Sequence, residues 1–120
     1  NALHVEPPQF VELVVVDLGW TKQDVALPAA MRWLDGGTII SLVKPHYELS
    51  EDEKQIEQVG EGLSLDAIER VMERVRSTCL DLGLEILGET TSPIKGKKSS
   101  KKGSGNSEIL LLLRPLQNVN

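Results

Sequence analysis

Residues 11–17 read Val-Glu-Leu-Val-Val-Val-Asp, a β-branched run with almost no polar position. Such a run suits a strand of a parallel sheet covered on both faces, because apolar and polar residues alternate only where one face meets water. Parallel strands need long crossover connections, ordinarily helices, and the next stretch of sequence supplies them. Thr21 or Asp24 can cap a helix carrying Val25, Leu27, Ala30, Met31 and Leu34, with Asp35-Gly36-Gly37 as its stop. Pro28 is tolerable there only near the first turn. A second strand spans 38–44 and is broken by Pro45. Residues 46–63 are polar, acidic and interrupted by Gly60 and Gly62, which predicts a loop with a helical turn around 51–59. Ser64 caps a second helix in which Leu65, Ile68, Met72, Val75, Cys79 and Leu82 recur at spacings of three and four, and Gly83 ends it. Strands at 84–91 and 108–114 come next, joined by a flexible basic Gly/Ser/Lys loop over 95–107.

The order β-α-β-loop-α-β-β predicts an open α/β sheet of about four strands, with helices on its faces. It contains two right-handed crossovers and a closing hairpin whose last strand is antiparallel. A chain of 120 residues can bury one modest core, so residues 1–120 are read as a single domain. The longest purely apolar run, from Ile109 to Leu113, is far short of the roughly 20 residues of a membrane span. Residues 1–8 lack the basic-then-apolar pattern of a secretory signal, and a cytoplasmic location is expected. One cysteine, Cys79, and two histidines, His4 and His46, give no metal-ligand spacing, so no metal is expected.

The formal net charge of -5 has the wrong sign for binding nucleic acid by bulk charge. The distribution is uneven, however. Lys95, Lys97, Lys98, Lys101 and Lys102 contribute +5 in one short stretch, which leaves -10 on the remainder. Six acids fall within 48–61, read as a solvated segment. A polyanion would have to approach the local lysine patch.

In open α/β sheets ligands bind beyond the carboxyl ends of the strands, where Asp17 and Lys44 fall. Taken singly, Asp17 can also cap a turn, Lys44 can be a solvated strand end, and Glu108 an edge charge. Trp20 and Tyr47 come shortly after the first two positions and can either pack or stack on a base. Cys79 lies on the apolar stripe and reads as core.

Three segments together carry a family resemblance: Val14-Val15-Val16-Asp17, then Leu42-Val43-Lys44-Pro45-His46-Tyr47-Glu48, then Thr91-Ser92-Pro93-Ile94-Lys95-Gly96 with Gly105-Asn106-Ser107-Glu108. In order and spacing they resemble the C-terminal half of the FtsJ-like ribosomal RNA methyltransferases, in the branch called hemolysin A or TlyA. The resemblance implies half of a Rossmann-like, seven-stranded methyltransferase sheet and transfer of a methyl group from S-adenosylmethionine to a ribose 2′-hydroxyl of RNA. The family's Lys-Asp-Lys-Glu tetrad maps its last three members onto Asp17, Lys44 and Glu108, with Asp17 also beside the cofactor. The first lysine and the glycine-rich cofactor loop have no counterpart here, so the cofactor site is incomplete. Lys95, Lys97, Lys98, Lys101 and Lys102 become candidate RNA contacts. Trp20 stands where the branch has a smaller aromatic, His46 and Tyr47 replace Gln and Phe, and the lysine loop is longer than usual there. A half-sheet also implies an open Val11–Val16 edge, through which a homodimer is expected. The alternative reading is a non-catalytic α/β interaction module derived from that fold.

Overall fold

The structure, a computed structural model, describes residues 3–57, 63–93 and 107–116. The elements run β1 (Val11–Val16), α1 (Gln23–Met31), β2 (Leu34–Val43), a 3-10 turn (Pro45–Tyr47), α2 (Glu51–Glu57), α3 (Leu65–Asp81), β3 (Leu84–Thr91) and β4 (Ile109–Pro115). The sheet order is β1-β2-β4-β3. β1 and β2 are parallel, and β4 runs antiparallel to both β2 and β3. The last strand is therefore antiparallel, as expected, but it is inserted inside the sheet instead of ending it.

Both crossovers, β1-α1-β2 and β2-α3-β3, step in the same direction across the sheet. Right-handed connections of that kind put their helices on one face. α1 and α3 do pack together, α1 over β1 and β2, α3 over β3. Beneath them the register aligns Val16 with Ser41, Ser41 with Leu111, Ile39 with Leu113 and Val43 with Ile109, all buried. Leu27 of α1 and Val71, Met72, Val75 and Cys79 of α3 close this core from above. Each large side chain so buried contributes about 1.5–3 kcal/mol relative to exposure.

The opposite face has the alternate residues: Leu13 and Val15 of β1, Ile40 and Leu42 of β2, Leu110 and Leu112 of β4. Leu13 and Val15 are exposed. The expectation that β1 is covered on both faces is therefore corrected: among the described residues, one-directional crossovers leave nothing packed on Leu13 and Val15.

α3 begins at Ser64, whose hydroxyl accepts the Ala67 N–H, and ends at Gly83, whose φ of +82° favours glycine. Its buried stripe is Ala67, Val71, Met72, Val75 and Cys79; Leu65, placed on the stripe by spacing, is exposed. α1 is shorter than its apolar pattern suggests. Leu34 belongs to β2, Val25 is exposed, and Pro28 is the sixth residue of the helix, past the first turn. Asp35-Gly36-Gly37 is not a helix stop. It lies within β2, at an irregularity where the step from Val11 to Leu13 is matched by the step from Leu34 to Thr38. At Gly37, φ is +94° and a Cβ would stand 2.1 Å from the Glu12 carbonyl oxygen. The glycine is there because two backbones meet. The five lysines of the basic loop, Lys95, Lys97, Lys98, Lys101 and Lys102, lie outside the described residues.

Gly37→Ala should lower stability by roughly 2 kcal/mol or more, read as a shift of the urea midpoint, since the strained φ and the backbone clash add. The open β1 edge, with Leu13 and Val15 beside it, should support a concentration-dependent dimer in sedimentation. Val15→Lys should leave a monomer.

Candidate functional site

Because β1 and β2 are parallel and β4 opposes them, the last residues of β1 and β2 meet the first of β4 at one end of the sheet. Val16 pairs with Ser41, and Val43 with Ile109. Asp17, Lys44 and Glu108 each lie one position beyond a strand end, and so the three sequence-predicted residues converge. Lys44 Nζ lies 2.8 Å from Asp17 Oδ1, with the lysine side chain 21% exposed and the aspartate 59%. The hydrogen bond to Asp17 raises the Lys44 pKa; burial opposes it, and the charges of Asp17 and Glu108 add to the rise. In this arrangement Lys44 is a held cation. It can donate hydrogen bonds or neutralise an oxyanion, and it becomes a base only if another cation enters.

Beside the pair stand three rings. Trp20 is 81% exposed and sits at a φ of +60°, unusual for a bulky residue. Its ring centroid is 4.8 Å from that of Tyr47, and Tyr47 is 4.1 Å from His46. The backbone thus holds a large aromatic surface open to solvent at the strand ends, next to the ion pair.

A buried network below the rings was hidden from sequence reasoning. α1 starts at Lys22 with no side-chain cap of its own, and Thr21 instead donates to the Gly19 carbonyl. The expected Thr21 or Asp24 cap is replaced by Glu48, whose carboxylate accepts the Gln23 N–H at 3.0 and 3.3 Å. Gln23 in turn accepts from Ser41 Oγ at 2.6 Å. Arg74 of α3 donates to the Glu48 carbonyl and to the Glu53 carboxylate. The acidic segment is therefore not simply solvated: Glu48 is only 8% exposed. A signal for part of this was present, since Ser50 and Glu53 cap one another's N–H groups in the Ser-x-x-Glu pattern.

Along the β1 edge, between β1 and α1, runs a groove of about 260 Å³ lined by Val14, Val16, Ala26, Ala30, Trp33 and Asp17. It is apolar with one carboxylate at the strand end. Among the described residues, no helix is long and apolar enough to cross a membrane.

Burial lifts the Glu48 pKa from 4.5 to about 7, against the pull of the Gln23 N–H. A raised carboxyl stabilises the fold below its unfolded pKa, and the contribution is lost as pH rises through the folded value. The stability of the chain relative to Glu48→Gln should accordingly fall between pH 4.5 and about 7, by on the order of 3 kcal/mol at most. Urea unfolding across that range, on both proteins, measures it.

No family model and no curated protein matches the chain. Solved structures do. One, described as a "putative hemolysin" from Streptococcus thermophilus, superposes with a TM-score of 0.76 and 29% identity over 99% of this chain and 43% of that one. Another, with the same description, from Lactococcus lactis, gives 0.75 and 25% over 98% of this chain and 57% of that one. The chain thus has the α/β fold of hemolysin-like proteins and spans about half the length of those it matches.

Proposed function

We propose that the chain is the catalytic half of an S-adenosylmethionine-dependent RNA 2′-O-ribose methyltransferase acting on ribosomal RNA, incomplete without a second half-sheet. One observation carries this reading. Asp17, Lys44 and Glu108, far apart in sequence and each singled out by the resemblance to the FtsJ-like enzymes, meet at the strand ends around a 2.8 Å ion pair.

The residues present fit the cofactor on one side. The groove beside β1 is apolar and ends at the exposed Asp17 carboxylate, a surface suited to a flat nucleoside bearing a positive charge. When bound, the cofactor supplies a methyl group on a sulfonium sulfur. Asp17 would then face that charge while continuing to orient Lys44. A ribose hydroxyl is a poor nucleophile and needs both alignment and a route for its proton. Lys44, half sheltered and directed by Asp17, is placed to hold the hydroxyl oxygen. To accept its proton it needs a pKa brought back down, which a second lysine at the pair would do. The Glu108 charge adds to the attraction on the ammonium. Trp20 and Tyr47 offer their rings to a nucleobase next to the reacting ribose, and Lys95, Lys97, Lys98, Lys101 and Lys102 would meet phosphates. A second reading, an α/β interaction module without cofactor chemistry, draws on the open β1 edge.

The isolated chain should bind S-adenosylmethionine weakly or not at all in calorimetric titration; micromolar affinity would refute the incompleteness of its site. In a longer polypeptide that joins this chain to the other half-sheet, Lys44→Ala and Lys44→Arg should both abolish methyl transfer to ribosomal RNA. The arginine variant fails because guanidinium can hold the hydroxyl but cannot take its proton, and cofactor affinity should stay largely intact, because Lys44 acts on the hydroxyl and not on the methyl donor. Activity surviving in Lys44→Arg would assign the proton to solvent. Absence of methyl transfer in the unsubstituted protein would favour the interaction module.

A further inference from the structure

Two loops carry the candidate site. Residues 17–22, between β1 and α1, bear Asp17 and Trp20; residues 44–48, after β2, bear Lys44 and Tyr47. Sheet pairing fixes where the two loops start. Since β1 ends at Val16 and β2 at Val43, the ladder does not fix the course of either loop beyond those residues. Glu48 spans the gap. Its N–H closes the 3-10 turn on the Pro45 carbonyl at 2.9 Å, its carboxylate takes the first N–H of α1, and its carbonyl is held by Arg74.

We propose that Glu48 is a positioning residue that sets the separation of these loops and thereby holds Trp20 and Asp17 against Tyr47 and Lys44. The choice of cap supports this. To stabilise α1 alone, a Ser, Thr, Asp or Asn at position 22 would serve without burying a carboxylate. The chain places Lys22 there and brings the acceptor from 25 residues away, inside the core. A remote cap does what a local one cannot: it ties the helix start to the other loop. The groups facing Glu48 are Lys22 and Asp24 at the start of α1 and Arg74 and Cys79 on α3, and His46 lies two residues before it in the chain. Burial puts its ionisation at about 7, and the ionised form is the stronger acceptor for the helix N–H groups. The tie therefore strengthens as pH rises through neutrality, even while burial of the charge lowers overall stability. The proposal rests on Asp17 and Lys44 forming the working site and not on which group is transferred there.

The test is made by NMR on the 120-residue chain, without any methyl transfer, so its outcome is independent of the methyltransferase reading. The Trp20 indole resonance should shift with pH with a midpoint near 7 in the wild-type chain and in His46→Gln, and should be flat in Glu48→Gln. Glu48→Ala should lose the Trp20–Tyr47 cross-peaks while retaining its far-UV circular dichroism and a cooperative unfolding transition. If Glu48→Ala does not fold, the pH profiles alone decide. A folded Glu48→Ala that keeps those cross-peaks would overturn the proposal. So would a transition that persists in Glu48→Gln, or one that disappears in His46→Gln.

Discussion

The insertion of β4 between β2 and β3 is the constraint on which the rest of this structure depends. It completes the buried aliphatic rows under α1 and α3, because Leu113, Leu111 and Ile109 lie opposite Ile39, Ser41 and Val43. Being antiparallel, it also begins where β2 ends, and so it delivers Glu108 to the side of Lys44. Had the final strand simply paired outside β3, the same residues would form a sheet with the Glu108 carboxylate two strands away from the ion pair. Core and candidate site are thus built by one topological choice.

Much of this was legible in the chain, and the reasons for the remainder are specific. β3 was bounded correctly from its residues, and α3 announced itself through Ser64 and Gly83, because those signals are local and self-sufficient. Asp17, Lys44 and Glu108 were singled out by the family resemblance, and the strand ends bring them together. Gly36 and Gly37 misled because a glycine pair after an apolar period reads as a helix end. Its real cause, the closeness of the Glu12 backbone, comes from a strand more than twenty residues earlier. Glu48 was missed for the same kind of reason. A carboxylate in an acidic run has no mark that separates a buried cap from its solvated neighbours, and only the tertiary fold brings it to Gln23. Local rules fail here where the partner is remote.

Two ionisable groups within five residues are tuned by opposite means. Lys44 is kept charged by a partner at hydrogen-bond distance, and Glu48 is pushed toward neutrality by exclusion of water. Neither perturbation is needed to hold the sheet together, whose core is aliphatic. Perturbed groups gathered at the ligand-binding end of an open α/β sheet are what a chemical or recognition site requires. The face opposite the helices, uncovered among the described residues, has a different cause, since both connections step the same way across the sheet.

Cys79 gives α3 a property of practical consequence. It is the one cysteine of the sequence, it lies fully buried where the helix meets the sheet, and burial pushes its thiol up to about 11. Thiol reagents act on the thiolate, so a closed molecule is chemically silent toward them. Each alkylation event then records an excursion in which the last turns of α3 lift from β3, and its rate, tracked over time, is a clock for local opening of this four-stranded sheet.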